Sequence, residues 1–285
     1  MKKFVTICFA LTIMMALVAC GKSQGGSDLS TVDDTSQDVS DSSTVDDSSE
    51  AESDLSYVKD NGKMIIGYTD YAPMNYTDDS GTFTGFDTEL ASLVCEKLGI
   101  EPEFVEINWD TKEVELKAKS IDCIWNGLTI DEDRKAEMEI TQPYVKNAQV
   151  IVMKEDATYE DTASLIGKSI AAEQGSAGET TIEEDDNLQQ ASFVPKTLQT
   201  EALMEVKAGT ADAAVLDLTL AKTMTGEGTN YEDIIIVDHL AEENYGVAFR
   251  KGSDIAQEVN KLFDQLIEEG TLTALADKYG LELAK

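Results

Sequence analysis

An arginine and an aspartate carry the most specific chemistry in the sequence. Arg134 stands in the charged string Asp131-Glu132-Asp133-Arg134-Lys135. Its planar guanidinium can grip a carboxylate by two parallel charge-assisted bonds. In so charged a string the local sequence favours a solvated surface arginine. Asp217 follows the apolar run Ala213 to Leu216. A carboxylate there can accept from a cationic group, or it can cap the next helix. Catalytic chemistry has less to draw on. His239 is the single histidine, set in acidic, polar sequence that reads as a loop, and no serine or cysteine motif accompanies it as a nucleophile. One histidine and four cysteines make neither a zinc site nor a disulfide scaffold the organising feature. No GxxxxGK[ST] phosphate loop is present. The expectation is therefore no metal and no cofactor.

These residues need a scaffold, and the patterning supplies one. Met64 to Tyr68 is a short β-rich run, and Phe86, Leu90, Leu93, Val94 and Leu98 recur at helical spacing before Gly99, which suits a helix C-terminus. Strands are then predicted at Phe104 to Ile107, Ile121 to Trp125, Gln149 to Met153, Ser169 to Ala172, Ala211 to Leu216, Ile234 to Val237 and Gly246 to Phe249. Helices are predicted at Thr111 to Lys119, Glu201 to Ala208, Ile255 to Ile267 and Leu272 to Tyr279. This alternation predicts an α/β architecture with mostly parallel sheets. In such sheets ligands sit beyond the carboxyl ends of strands, so the residues just after each strand are the informative ones.

Five segments, four of them after predicted strands, carry a resemblance taken together. They are Gly67-Tyr68-Thr69-Asp70-Tyr71-Ala72-Pro73-Met74, Gly85-Phe86-Asp87-Thr88-Glu89-Leu90-Ala91, Ile121-Asp122-Cys123-Ile124-Trp125-Asn126-Gly127-Leu128-Thr129-Ile130 with Arg134, and Gln174-Gly175-Ser176-Ala177-Gly178-Glu179. The fifth is Ala211 to Asp217 with Tyr245-Gly246-Val247-Ala248-Phe249-Arg250-Lys251-Gly252. In order and spacing they resemble the extracellular solute-binding proteins (family 3) of polar amino-acid ABC transporters, over about residues 60–283. The resemblance implies a two-lobed, type II periplasmic-binding-protein-like fold with two hinge strands that closes over a ligand. One lobe would comprise about 57–147 and 250–285 and the other about 148–249, with crossings near Ala148 to Val152 and Tyr245 to Arg250.

The same resemblance implies roles. Arg134 falls in the family's guanidinium position for the ligand carboxylate, with the backbone N–H groups of Thr129 and Ala177 completing the cradle, the second at a helix start that favours anions. Ser176 belongs to the same turn. Family members often carry threonine where Ala177 stands, so one hydroxyl contact is missing here. Asp217 matches the carboxylate that takes the ligand ammonium group, with the Gly127 carbonyl and Thr129 hydroxyl as further acceptors. Tyr71 and Trp109 align with positions flanking the ligand side chain, where flat faces suit aliphatic, aromatic or cationic groups. Asn126 takes a place where relatives have small polar residues. Asp70 and Glu173 are further candidates to meet a cationic side chain. A cationic amino acid is thus slightly preferred, with neutral polar amino acids or cystine also open.

The amino-terminal part reads as processing and tether. Lys2 and Lys3 precede the apolar run Phe4 to Ala19, too short for a membrane span and right for a signal peptide over 1–19. The run ends Leu17-Val18-Ala19-Cys20, which resembles the bacterial lipobox and makes Cys20 the expected lipidation site, with two acyl chains as a stable membrane anchor. Residues 20–56 read as the lipidated cysteine and a disordered linker, in which Gly21 to Ser56 holds 11 Ser and 10 Asp or Glu. Such a segment cannot offset its ordering entropy by apolar burial and would span ~33 Å as a coil. Residues 57–285 form the solute-binding domain, with 19 basic and 46 acidic residues. The whole chain carries a formal charge of −34, which excludes nucleic acid as a partner.

The reading is a monomeric, non-enzymatic receptor on the outer face of the cell membrane that delivers its ligand to ABC permease subunits. Two alternatives stand beside it: a cyclohexadienyl-dehydratase-like enzyme on the same fold, or a surface sensor or adhesin that does not transport.

Overall fold

The computed structural model describes residues 53–285. The expected signal peptide, Cys20 and nearly all of the expected linker lie outside the described residues. The elements begin with helix α1 (Asp54–Asn61), strands β1 (Lys63–Tyr68), β2 (Tyr76–Thr77) and β3 (Phe83–Thr84), and helix α2 (Phe86–Leu98). They continue with β4 (Glu101–Glu106), α3 (Lys112–Lys117), β5 (Cys123–Thr129), α4 (Glu132–Glu137), β6 (Met138–Ile140) and β7 (Val145–Lys154). Next come β8 (Ser169–Glu173), α5 (Ala177–Glu184), β9 (Ser192–Lys196), α6 (Gln199–Ala208), β10 (Ala213–Asp217) and α7 (Leu218–Met224). The long strand β11 (Ile234–Arg250) and helices α8 (Ile255–Glu268) and α9 (Thr271–Tyr279) complete the chain. The expected linker ended at Ser56, but Asp54 to Ser56 are helical in α1, whose N-cap Ser53 accepts the Ser56 N–H at 3.0 Å. Arg250 fastens this helix, with Nε 2.9 Å from Asp54 and Nη2 3.2 Å from Asp122.

The main sheet runs β4-β1-β5-β11-β7-β10-β8-β9, with β6 also pairing β11. It contains two parallel trios, β4-β1-β5 and β10-β8-β9. Between them lies the antiparallel pair β7 and β11. Because β11 is antiparallel to β5, and β10 antiparallel to β7, the trios point in opposite senses along the crossing strands. Their carboxyl ends therefore face each other, which places the strand-end residues of both halves at one site. The apolar faces are buried as periodicity requires. On α2, Phe86, Leu90, Ala91, Val94 and Cys95 are buried, and on α8 Ile255, Val259, Leu262, Phe263 and Leu266. Each large side chain so buried contributes about 1.5–3 kcal/mol. Cys95 and Cys123 are free and buried. Among the described residues no helix is long and apolar enough to cross a membrane.

Two sequence expectations change. The segments Ile234 to Val237 and Gly246 to Phe249 are one strand of 17 residues, β11, and His239 lies in it, exposed. The polar stretch between them stays extended because β7 runs alongside it, pairing His239 with Val150 and Glu243 with Asn147. Partnering overrides the poor strand propensity of the sequence Asp-His-Leu-Ala-Glu-Glu-Asn. Strand β5 runs on to Thr129, so Asn126, Gly127 and Thr129 occupy its carboxyl end instead of a following loop.

Candidate functional site

The facing strand ends leave a narrow cavity lined by residues of both halves. At one pole stands Arg134, in the short helix α4. Asp131 caps that helix by accepting the Arg134 N–H at 2.7 Å, and its other oxygen lies 3.2 Å from Nε. Nη1 donates to the Thr129 carbonyl at 2.9 Å and Nη2 to the Gly175 carbonyl at 3.4 Å. A guanidinium has five N–H donors. Two of them are committed to carbonyls and Nε sits in the ion pair with Asp131, so one donor on each of Nη1 and Nη2 remains for an anion. Local sequence favours a surface arginine, but the side chain is buried.

Backbone donors converge on the same pole. Ile130 N–H donates to the Asn244 carbonyl, so in the antiparallel ladder the adjacent Thr129–Tyr245 pair directs its amides away from β11. The Thr129 N–H accordingly lies on the same edge as the carbonyl that meets Arg134. Across the cavity, Ala177 is the first residue of α5, whose N-cap Ser176 accepts the Glu179 N–H at 3.2 Å. A helix N-terminus of this kind favours anions. Gly127 adopts φ +60°, and a Cβ there would meet Tyr71 at 2.8 Å and Tyr245 at 3.1 Å. Its N–H donates to Asp87 at 2.7 Å. Asp87 also accepts the Tyr144 hydroxyl at 2.9 Å, and burial pushes its carboxyl up to about 7.

The other pole is acidic. Asp217 occupies the N-cap position of α7, yet its side chain makes no capping bond. Three amides hold it instead. Asn147 and Gln149 donate to Oδ1 at 2.7 and 2.6 Å, and Gln199 donates to Oδ2 while its own oxygen accepts the Asp217 N–H at 2.9 Å. Asn147 and Gln149 lie two apart on β7, which points both to one face. They also donate to Glu243 on β11, at 2.6 and 3.0 Å, where the Thr129 hydroxyl donates at 3.0 Å. Burial and then the Asp217 charge push the Glu243 carboxyl up to about 8. Glu173 ends β8 beside them, 3% exposed, and its Oε1 has no hydrogen-bond partner. Burial first, then Asp217, pushes its carboxyl up to about 8 as well. Among the described residues no lysine or arginine forms an ion pair with Asp217, Glu243 or Glu173.

Aromatic walls and a buried lysine close the site. Trp109 is buried, and Lys112 Nζ lies 4.9 Å from its ring centroid. Lys112 donates to the Trp109 carbonyl at 3.1 Å and, across the cleft, to the Gly175 carbonyl at 2.9 Å. Burial, then repulsion from Arg134, lowers its ammonium to about 8. The Tyr71 hydroxyl bonds Thr219 at the start of α7 and lies 2.5 Å from the Tyr245 hydroxyl. These bonds join the two halves across the cleft.

The structure brings together Tyr71, Trp109, Asn126, Gly127, Thr129, Arg134, Ser176, Ala177 and Asp217, and Glu173 with them. Two expectations need correction. Asp70 is exposed and does not line the cavity, because the turn after β1 directs Tyr71 inward in its place. Asn126 lines the cavity, but its amide is saturated by Thr69 N–H (3.1 Å), the Thr69 hydroxyl (2.8 Å), the Thr69 carbonyl (2.9 Å) and Asn75 (2.7 Å). Four bonds exhaust an amide's capacity, so this side chain braces the turn after β1. Gln199, Asn147, Gln149, Glu243 and Lys112 were not singled out from sequence. Asn147 and Gln149 had a readable signal, two amides at strand spacing inside an apolar run.

A two-lobed α/β fold that gathers these residues between its halves defines a class of binding protein. Residues 64–282 match the model of the bacterial extracellular solute-binding proteins, family 3, and the chain belongs to that family. An arginine-binding extracellular protein of Bacillus subtilis (strain 168) is 26% identical over 281 residues, covering 98% of both chains. Among solved structures, a mutant of ArgBP from T. maritima matches with a TM-score of 0.73 at 30% identity, covering 79% of this chain and 98% of that one. The ancestral amino-acid-binding protein that is a precursor of cyclohexadienyl dehydratase matches with a TM-score of 0.72 at 29% identity, covering 80% and 99%.

Proposed function

We propose that the chain is a non-enzymatic receptor, tethered through lipidated Cys20 to the outer face of the cell membrane. It captures a free amino acid between its lobes and delivers it to ABC permease subunits. The observation that carries this reading is the pairing of two complementary poles in one cavity. Arg134 retains two uncommitted N–H donors, and Asp217 is held by neutral amides with no cation of its own. A free amino acid brings a carboxylate to the first and an ammonium group to the second, and each needs a partner once water is excluded. Ligand contacts made only in the closed state would shift the population toward closure. Relatives named for arginine binding support an amino acid as the ligand class.

The test is thermal-shift and calorimetric screening of ligand-stripped protein against the proteinogenic amino acids and cystine. Binding tighter than millimolar by at least one of them is expected, and binding by none removes the reading. Tethering is read by membrane fractionation: Cys20→Ala should move the protein from the membrane to the medium. The dehydratase alternative draws on Glu173, a buried carboxyl that holds its proton near neutral pH and so could act as a general acid. Turnover of cyclic dienyl acids by purified protein would establish it, whereas binding of amino acids without turnover favours the receptor.

A further inference from the structure

The acidic pole holds more carboxylate than an α-ammonium group requires. Asp217 is oriented by three amide side chains and is complete as a single acceptor. Glu173 is differently situated. It is almost fully buried at the end of β8, it lines the cavity, and Oε1 lacks any partner. A buried, unpaired carboxylate is costly, so such a group holds a proton or meets a cation. The neighbours do not supply that cation. Gln199 is committed to Asp217 through both of its amide atoms. Lys112 directs two of its three donors to the carbonyls of Trp109 and Gly175 and forms no ion pair with Glu173. Arg134 forms its ion pair with Asp131 and none with Glu173.

We propose that Glu173 is the subsite for the ligand's side-chain cation, and that it selects a guanidinium or ammonium side chain over a neutral one of the same shape. The proposal rests on the receptor reading, in which Arg134 and Asp217 take the ligand's carboxylate and α-ammonium groups. Trp109, already carrying Lys112 near its ring, and Tyr71 wall the same cavity. The charged groups around Glu173 are Asp217 from β10, Lys112 from α3 and Glu201 from α6, with Arg134 and Glu243 elsewhere at the site. The two nearby anions favour the protonated carboxyl before the ligand arrives, and Lys112 opposes them. An arriving cation reverses that balance. The O–H bond of the carboxyl breaks, its proton leaves to the buffer, and the carboxylate pairs with the ligand cation.

The test compares two probe pairs, L-arginine with L-citrulline and L-lysine with L-norleucine, by calorimetry on wild-type protein and Glu173→Gln. Wild type should bind the cationic member of a pair at least about tenfold more tightly. Glu173→Gln should reduce that ratio to threefold or less, and should release about one proton fewer per cationic ligand at pH 7 when titrated in buffers of different ionisation enthalpy. A melting temperature for Glu173→Gln equal to or above wild type establishes that the variant is folded. Equal binding of both members by wild type, or an unchanged ratio in Glu173→Gln, overturns the Glu173 assignment while leaving the receptor reading in place. Failure of wild type to bind any α-amino acid removes both.

Discussion

The two poles of the cavity are built on opposite principles. At the Arg134 pole every fixed group is already partnered: an aspartate and two carbonyls hold the guanidinium, and two N–H donors remain in a defined direction. At the acidic pole Asp217, Glu243 and Glu173 crowd together, held by neutral amides and one hydroxyl or by nothing. The first is preorganised for an anion and carries little strain in charge. The second is electrostatically incomplete and gains most from a cation. On the proposed reading the difference divides the work, with orientation falling to Arg134 and selection to the carboxylates.

The largest expected effect breaks a pole outright. Arg134→Ala and Asp217→Ala should each weaken amino-acid binding by at least tenfold, more than ~1.4 kcal/mol, because each leaves a buried ligand charge unpaired. Wild-type affinity in either variant, measured by calorimetry, would show that the ligand does not span the poles.

A second prediction sharpens the contrast through pH. The carboxyls of Asp87, Glu173 and Glu243 are raised to about 7, 8 and 8. The folded state therefore holds protons that the unfolded chain releases near pH 4. The stability tied to these groups is fully present below pH 4 and is lost as pH rises toward 8. The melting temperature of ligand-free protein should fall between pH 5 and pH 8. A rise over that interval would contradict the acidic pole as described.

Two smaller effects follow. Gly127→Ala forces a Cβ against Tyr71 and Tyr245 at positive φ, and should cost about 1–3 kcal/mol of stability by denaturant titration. Gln149→Leu removes a donor shared by Asp217 and Glu243, and should weaken ligand binding by roughly 1–2 kcal/mol without lowering the melting temperature as much as Gly127→Ala. Lys135→Ala, which breaks the exposed pair with Glu132, should leave affinity unchanged and so serves as the control beside Arg134.

Much of this arrangement was legible in the sequence because strand ends carry it. The residues at or just beyond the carboxyl ends of β1, β5, β8 and β10 come from four distant segments, and the expectation that they meet follows from α/β architecture together with the family resemblance. What stayed hidden depends on side-chain direction or on cross-strand pairing. Asp70 and Tyr71 are neighbours in sequence, and only the turn geometry decides which enters the cavity. Gln199 opens a helix with nothing local to mark it, and Glu243 lies in polar sequence that becomes strand only because β7 pairs with it. Lys112 reads as one more charge in Lys-Glu-Val-Glu-Leu-Lys, yet it is buried across the cleft.

The most direct test of the central claim is calorimetric titration of ligand-stripped protein with the proteinogenic L-amino acids and cystine at neutral pH. Saturable binding of at least one, tighter than millimolar and weakened tenfold or more in both Arg134→Ala and Asp217→Ala, is the predicted result. Binding of none, or binding indifferent to both substitutions, would contradict it.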